Sequence, residues 1–374
     1  MNQSFYRACM SLVSKSALPI HESTLSPKLT KTLHTLFQNE KARGVSLALF
    51  SNTQIQLLSM GEAKKEKGTP VTADTHFRIA SIAKFVTAYC AVLLFNQGKI
   101  DLDTDVSNYL GYPLANPMHK ESCITLRHLL SHTASLHDGV RYNQGIFTRM
   151  PLQEVLQGDS FTNHRPGTVF EYSNLGAGMI GCILENATKT PFDTLMREQV
   201  FEPLGINASY FPQKITGTLA DAWRLFPPAK GANYHAKARQ TQALPTNGMD
   251  QETGYLLPHG NLCIKAKDLA LIAKAIANDK KTFDQMRTPI TPFDQREPNM
   301  SQGLGTFIYN APTKGKTLYG HQGLAYGAVH GLFMDEMGNG FVALTSSISE
   351  HRHGVLTDAN LKMCALLWQG ELHG

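Results

Sequence analysis

The stretch Ser81-Ile-Ala-Lys84-Phe-Val-Thr-Ala-Tyr-Cys-Ala-Val-Leu-Leu-Phe95 joins a Ser-x-x-Lys motif to a run that is apolar nearly all round. Gly98 follows closely, so the pattern predicts a buried helix with a glycine stop. Three residues make just under one helical turn, which puts the Lys84 amine beside the Ser81 hydroxyl. A serine needs such a base to become a nucleophile, and a desolvated lysine is neutral enough to help. The motif alone also fits a helix N-terminus with a surface lysine, so it needs support from elsewhere.

A second element is Tyr172-Ser-Asn174, which follows Arg165-Pro-Gly-Thr-Val-Phe-Glu171 and precedes the apolar run 175–184. The Pro-Gly pair marks a turn, so we expect Tyr172 and Asn174 on a connection between ordered elements. A phenol relays a proton, and a carboxamide offers a donor and an acceptor to a substrate amide. The alternative is a buried tyrosine beside a helix N-cap asparagine.

The third element is Tyr319-Gly-His-Gln-Gly323, which ends a short β-like run that begins at Thr317. A glycine at position 323 lets the backbone approach a ligand closely. A strand edge there presents N–H donors to a developing oxyanion. The alternative for His321 is an ordinary loop histidine.

In order and spacing these three elements resemble the serine β-lactamase and penicillin-binding protein superfamily. The likeness is greatest to its class C β-lactamase-like and DD-peptidase-like branch, which includes esterases and D-aminopeptidases. Further matching blocks are Gly98–Asp103, Ile124–Thr133 and Gly260–Leu269, and together they span roughly residues 40 to 350. The resemblance implies an α/β fold of the α+β type. We expect a mostly antiparallel sheet flanked by helices, with an inserted helical domain, as in β-lactamases and transpeptidases.

The resemblance also implies roles for individual residues. Ser81 attacks an acyl carbonyl and forms an acyl-enzyme, while Lys84 and Tyr172 share the proton transfers. Which of these two is the acylation base stays open, because the pair titrates as a unit. The substrate-binding candidates are Asn174, His321, Gly323 and Leu324. Asn174 holds the substrate amide, and His321 occupies the family's third-motif cationic position. The N–H groups of Ser81 and Leu324 form the oxyanion hole.

Three departures from the family pattern bear on substrate choice. His321 replaces the lysine usual in class C β-lactamases, and an imidazole loses its charge near neutrality, which weakens binding of a carboxylate-bearing β-lactam. Leu324 stands where many relatives have a small residue and narrows the acyl pocket. The block Ser131-His-Thr-Ala-Ser-Leu136 lacks a glycine before its leucine, and we interpret it as structural.

These features predict a serine hydrolase acting on amides or esters. The favoured activities are those of a D-alanyl-D-alanine carboxypeptidase, a D-aminopeptidase or an esterase. A β-lactamase is the alternative within the enzyme class, and a non-catalytic structural or ligand-sensing protein is the alternative outside it. The expected substrates are small molecules or peptides, such as D-amino-acid peptides, esters or β-lactams. We expect no cofactor and no metal.

Composition fits a chain with a substantial core, since 42% of its 374 residues are hydrophobic and 17% are charged. The net charge of +5 is dispersed and clusters only into pairs such as Lys64-Lys65, so nucleic-acid binding is not predicted. The stretch Ala8–Val13 is too short for a secretory signal, and no run of about 18 apolar residues predicts a membrane span. Six cysteines without a Cys-x-x-Cys also favour a cytoplasmic protein, although the family resemblance leaves a periplasmic or secreted one open.

The domain organisation follows from the distribution of patterns along the chain. We predict a leader or disordered extension over residues 1–25, a sheet domain with flanking helices from 26–65 and 270–374, and a mainly helical domain over 66–269. The active site would lie at the seam. The segment Asp221–Gly248 reads as a loop that borders the substrate cleft.

Other chemistries find little support. His351-Arg-His353 is a candidate metal pair, but the chain has no His-Glu-x-x-His and no clustered cysteines, so we interpret it as a solvent-exposed loop. There is no Gly-x-Ser-x-Gly elbow to indicate an α/β-hydrolase, and no phosphate-binding loop or dinucleotide fingerprint.

Overall fold

The structure, a computed structural model, describes residues 2–65, 67–148, 150–157, 159–226, 254–293, 297–310 and 315–372. The helices in these ranges are α1 (Gln3–Leu12), α2 (Pro27–Asn39), α3 (Ile82–Asn96), α4 (Ser107–Leu110), α5 (Leu126–Leu130), α6 (Val140–Thr148), α7 (Leu152–Val155), α8 (Asn174–Thr188), α9 (Phe192–Met196), α10 (Ala266–Asn278), α11 (Lys280–Arg287) and α12 (Asp358–Gln369). The strands are β1 (Ile20–Ser23), β2 (Gly44–Phe50), β3 (Ile55–Lys64), β4 (Thr69–Pro70), β5 (His76–Arg78), β6 (Cys263–Lys265), β7 (Thr291–Pro292), β8 (Met300–Gln302), β9 (Phe307–Asn310), β10 (Thr317–Ala325), β11 (Ala328–Met334), β12 (Gly340–Ser347), β13 (Arg352–His353) and β14 (Leu356–Thr357).

One antiparallel sheet dominates the described structure. Its strand order is β1-β3-β2-β12-β11-β10-β9-β8-β7, and β4 pairs with the far end of β3. Strands from the two ends of the chain meet where β2 lies beside β12, with Leu49 opposite Phe341. The predicted antiparallel sheet with flanking helices, assembled from distant segments, is therefore confirmed.

Helices cover both faces of this sheet. Every residue of β2, β11 and β12 is buried. Because side chains alternate along a strand, Leu47 and Leu49 of β2 pack in the core with α2 and α12, whereas Ala48 and Phe50 pack in the core with α3 and α10. Strands sandwiched in this way carry continuous apolar runs, as Gly44-Val-Ser-Leu-Ala-Leu-Phe50 does.

Helices α3 to α9 lie in the chain between β5 and β6, two short strands that pair with each other. A mainly helical middle segment between sheet-forming ends agrees with the expected order of elements. The domain boundaries at residues 65 and 269 remain a prediction. The expected loop Asp221–Gly248 lies outside the described residues from position 227 onward. No helix in the described part of the chain has the length and apolarity to cross a membrane.

The N-terminal segment, predicted as a leader or disordered extension, contains ordered elements, and its assignment as a leader remains a prediction. Residues 3–12 form α1, and residues 20–23 form the edge strand β1 on β3. Helix α1 docks through Tyr6 and Met10, which share one face at i, i+4 spacing and are both buried. The Tyr6 hydroxyl accepts a hydrogen bond from the Glu350 backbone N–H at 2.9 Å. The sequence signal for this helix was its short amphipathic pattern. The residue that Tyr6 contacts, Glu350, lies more than 300 residues away in the sequence.

Replacing Tyr6 tests whether α1 belongs to the folded core. We expect Tyr6→Ala to lower the free energy of unfolding by about 3 kcal/mol, because a buried ring and its hydrogen bond are lost. Leu12→Ala is the matched control on the same helix, since Leu12 is 87% exposed. Urea denaturation followed by circular dichroism measures both. Equal, small changes in the two variants would contradict the docking of α1.

Candidate active site

A sharp turn between β5 and α3 presents Ser81. Ile79 donates its N–H to the Leu262 carbonyl at 2.9 Å, which ties the segment to the strand β6 region. Ala80 then adopts a left-handed conformation with φ +49°. Such a backbone is strained for a residue with a Cβ, and strain of this kind concentrates at functional sites. Ser81 is the N-cap residue of α3 but makes no capping hydrogen bond, so its hydroxyl is free for other partners.

The Lys84 side chain is buried and surrounded by oxygen atoms. Its Nζ lies 3.1 Å from Ser81 Oγ, 2.7 Å from Asn174 Oδ1 and 2.7 Å from the His259 carbonyl oxygen. Burial lowers the pKa of Lys84 to about 7, while the Asp138 carboxylate acts in the opposite direction. A neutral amine has two N–H groups and a lone pair. It can donate to Asn174 and His259 and still accept the proton of Ser81.

Tyr172 completes the group around the serine. Its hydroxyl hydrogen-bonds to Ser81, and its ring centroid lies 5.1 Å from Lys84 Nζ. Burial raises the pKa of Tyr172, although the hydrogen bond to Ser81 opposes this shift. Near neutral pH the phenol therefore keeps its proton. The structure thus brings together the three predicted catalytic side chains, which come from two distant segments.

Asn174 does not lie on a loop connection, because it is the first residue of α8, and Ser173 is the N-cap that accepts the Gly176 N–H. Asn174 Nδ2 donates to Asp138 Oδ2 at 2.7 Å, so Oδ1 faces Lys84. Asp138 also accepts from the Leu175 N–H at 2.9 Å. A carboxylate at the start of a helix is favourably placed, since the free N–H groups there bind anions. Asp138 thereby holds the orientation of the carboxamide.

Sequence reasoning missed Asp138 and the carbonyl of His259. Asp138 lies 36 positions from Asn174, and His259 lies 175 positions from Lys84. A lone acid in a loop and a backbone carbonyl carry no motif. The only available signal for Asp138 was its position two residues after the Ser131–Leu136 block.

The Ser131–Leu136 block proves to support Tyr172 directly. His132 has a left-handed backbone, φ +55°, and its Nδ1 accepts the Ser173 N–H at 3.2 Å. Its ring lies 4.5 Å from the Tyr172 ring and 5.8 Å from Phe170. Burial holds the pKa of His132 well below its usual value, so the imidazole is neutral. The block therefore positions Tyr172 and the start of α8 together.

His321 lies in β10 and borders the same cleft, but it is not a cation. It is only 1% exposed and stacks on Phe307 with 3.9 Å between ring centroids. Burial, assisted by the charge of Lys84, lowers the pKa of His321 to about 3. Nδ1–H donates to the Gln322 carbonyl at 2.6 Å, which leaves Nε2 as an acceptor with no hydrogen-bond partner among the described residues. The expected cationic position is therefore occupied by a neutral imidazole.

Gly323 and Leu324 lie in β10, which extends to Ala325 and is therefore longer than the predicted β-like run. β10 pairs with β9 from Thr317 to Gly320, and beyond that point the described residues provide no strand neighbour on this side. A Cβ at Gly323 would overlap the carbonyl oxygen of Ile79, just ahead of the Ser81 turn. The glycine is therefore required because two backbone segments pack closely together here, and not because a ligand approaches the backbone. Leu324 is partly buried and lines the cleft. Its role in an oxyanion hole remains a prediction.

These side chains share one cleft with a volume of about 1010 Å³. Its walls include five of the predicted site residues, namely Ser81, Tyr172, Asn174, His321 and Leu324. Lys84 lies just behind this wall, since it is buried and bonded to two of these side chains. The cleft has room for a substrate of drug-like or short-peptide size.

The lowered pKa of Lys84 predicts a pH dependence of acylation. Only the neutral amine can accept the Ser81 proton, so the rate should rise about tenfold per unit up to pH about 7 and then level off. Pre-steady-state acylation by a p-nitrophenyl ester between pH 5 and 9 measures this limb. Ser81→Ala supplies the background hydrolysis at each pH. A rate that is flat between pH 6 and 8 would contradict Lys84 as the titrating group.

Asp138→Asn tests the carboxylate separately. Removing a negative charge that raises the pKa of Lys84 should move the acidic limb of the pH profile to lower pH. The plateau rate should fall about 10–100-fold, because the Asn174 carboxamide loses its anchor. Glu154→Gln makes the same charge change at an exposed position and should leave the limb in place. An unmoved limb in Asp138→Asn would show that this carboxylate does not act on Lys84.

Comparison with known proteins shows the family. The sequence profile of the Beta-lactamase family matches residues 29–361. Penicillin-binding protein 4 from Amycolatopsis lactamdurans is 26% identical over 302 residues, which cover 76% of this chain and 75% of that protein.

Solved structures agree in fold. The octameric penicillin-binding protein homologue from Pyrococcus abyssi superposes with a TM-score of 0.73 at 20% identity, covering 91% of this chain and 77% of that chain. D-amino acid amidase from Ochrobactrum anthropi SV3, complexed with L-phenylalanine amide, has a TM-score of 0.70 at 21% identity, covering 92% and 99%. With a family match over most of its length and the same fold in these structures, the chain belongs to the beta-lactamase family of serine hydrolases.

Proposed function

We propose that the protein hydrolyses amides or esters through an acyl-enzyme on Ser81, with Lys84 as the general base. The observation that carries this proposal is the 3.1 Å contact between Lys84 Nζ and Ser81 Oγ, made by an amine whose pKa burial lowers to about 7. Such a base is half deprotonated at neutrality and still strong enough to take a proton from a hydroxyl.

The reaction divides into two steps. As Ser81 Oγ bonds to the carbonyl carbon, its proton passes to Lys84 Nζ. The tetrahedral intermediate then collapses and releases the amine or alcohol. The leaving group takes a proton from the neutral Tyr172 phenol, and protonated Lys84 returns a proton to Tyr172. Water then attacks the ester at Ser81 along the reverse proton path and releases the acid.

The neutral His321 separates the candidate substrates. A carboxylate beside the scissile bond favours a cation opposite it, and His321 provides none at neutral pH. Its Nε2 is buried, so the imidazole presents neither a charge nor an exposed acceptor to the substrate. Penicillins, cephalosporins and C-terminal D-alanyl-D-alanine peptides carry the carboxylate, whereas D-aminoacyl amides do not. We therefore favour a D-amino-acid amidase or aminopeptidase, with short esters as accepted substrates.

Three arginines line the cleft at positions other than 321, namely Arg78, Arg224 and Arg352, and the last two act on the Glu350 carboxylate. Arg224 pairs with Glu350 at 2.9 Å. Arg78 donates to Asn261 and lies over the Tyr326 ring. The likeness in fold to a D-amino acid amidase supports the favoured substrate class, while penicillin-binding protein 4 keeps β-lactam turnover as the competing outcome.

A substrate panel tests this proposal. We expect kcat/KM to rank D-aminoacyl p-nitroanilides and p-nitrophenyl butyrate above benzylpenicillin and nitrocefin, with L-aminoacyl anilides as the stereochemical control. Ser81→Ala should abolish all turnover and also labelling by a fluorophosphonate. His321→Lys should raise the penicillin-to-butyrate ratio, where the neutral ester corrects for any general loss of activity.

The outcomes separate the two parts of the proposal. Labelling that survives in Ser81→Ala would overturn the acyl-enzyme assignment. Hydrolysis of nitrocefin by the unaltered protein at rates equal to its best ester would overturn the argument from His321 and leave the acyl-enzyme intact.

A further inference from the structure

A second cluster of polar side chains lies at the rim of the cleft. Contrary to the solvent-exposed loop expected for His351-Arg-His353, the His351 side chain is buried and its Nδ1–H donates to Asp358 Oδ2 at 2.8 Å. His353 Nε2 lies 3.3 Å from the other carboxylate oxygen, Oδ1. Asp358 is the first residue of α12 and is itself mostly buried. The sequence could not reveal this third partner, because a lone aspartate after a strand carries no metal-site pattern.

The backbone holds the three side chains in place. β13 and β14 pair with Arg352 opposite Thr357 and His353 opposite Leu356. The Asp358 N–H donates to the His351 carbonyl at 3.0 Å, which closes the base of this hairpin. Residues 351 and 353 alternate with 352 along the extended chain, so both imidazoles face the carboxylate.

The spacing of the donor atoms suits a metal ion. One ligand atom from each of the three side chains lies within 4.8 Å of the other two. Tetrahedral zinc with bonds of about 2.0–2.1 Å separates its ligand atoms by roughly 3.4 Å. The contacts of 2.8 and 3.3 Å to Asp358 lie close to this value. Small rotations of the side chains would therefore create the site without moving the backbone.

We propose that His351, His353 and Asp358 bind a zinc ion. Two imidazoles and one carboxylate form a ligand set that zinc accepts while a fourth position stays open to water. His353 is 64% exposed, so an ion reaches the cluster from solvent. The single negative charge of Asp358 offsets part of the charge of the ion.

The position of the site connects it to the cleft. Arg352, Gly354 and Val355 belong to the same hairpin and line the cleft wall. A bound ion would cross-link this wall to α12 and restrict its movement. The site takes no part in the acylation step, because its ligands are not among the groups that contact Ser81.

Metal titration of the EDTA-treated protein tests the proposal. We expect calorimetry to detect one equivalent of Zn²⁺ bound with micromolar or tighter affinity, and His353→Ala to weaken that binding at least tenfold. His119→Ala is the matched control, since His119 also lies beside a carboxylate, Glu121, but belongs to no group of three possible ligands among the described residues. Zn²⁺ should also raise the melting temperature of the unaltered protein and of His119→Ala, and not that of His353→Ala.

Two results would overturn the site. One is Zn²⁺ binding that remains as tight in His353→Ala as in the unaltered protein, which would place the ion elsewhere. The other is the absence of binding tighter than millimolar, in which case the cluster is a hydrogen-bonded triad only. Because His353 is exposed, its replacement leaves the fold intact and keeps either result interpretable.

Discussion

Removal of the Lys84 amine from water is the constraint on which the site depends. Burying an ammonium unpaired costs several kcal/mol, and the protein limits this cost in two ways. It lowers the pKa of the amine to about 7, and it surrounds Nζ with three oxygen acceptors. Each acceptor needs its own support: the strained turn before Ser81, the carboxylate of Asp138 behind Asn174, and the backbone that presents the His259 carbonyl.

The local parts of this arrangement could be predicted from the sequence. Ser81 and Lys84 are three residues apart, so helical periodicity alone places them side by side, and the contact between them is present. A sheet assembled from the two ends of the chain likewise followed from strand patterns there, and its antiparallel arrangement was implied by the family resemblance. Asp138 and the His259 carbonyl could not be predicted, because each contacts its partner across a large separation and only the packed fold determines that proximity.

The charge of His321 also could not be predicted from the sequence. The sequence gives the residue type, but the protonation state depends on how deeply Phe307 and its neighbours bury the ring. Those neighbours form a closed chain of contacting rings around one wall of the cleft, made up of His132, Tyr172, His321, Phe307, Phe293 and Phe170. A histidine in solution titrates near pH 6.5, whereas burial lowers the pKa of this one to about 3.

A neutral group at position 321 also keeps Lys84 a stronger base than a cation there would. The charge of Lys84 lowers the pKa of His321, and in a buried site such repulsion is weakly screened. A permanent cation at 321 would help to bind a carboxylate, but it would also favour the neutral form of Lys84 and make it a weaker base. Tyr172, whose pKa burial raises, adds no negative charge to offset that effect. Carboxylate recognition and base strength at this site are therefore coupled, and the burial of His321 favours base strength.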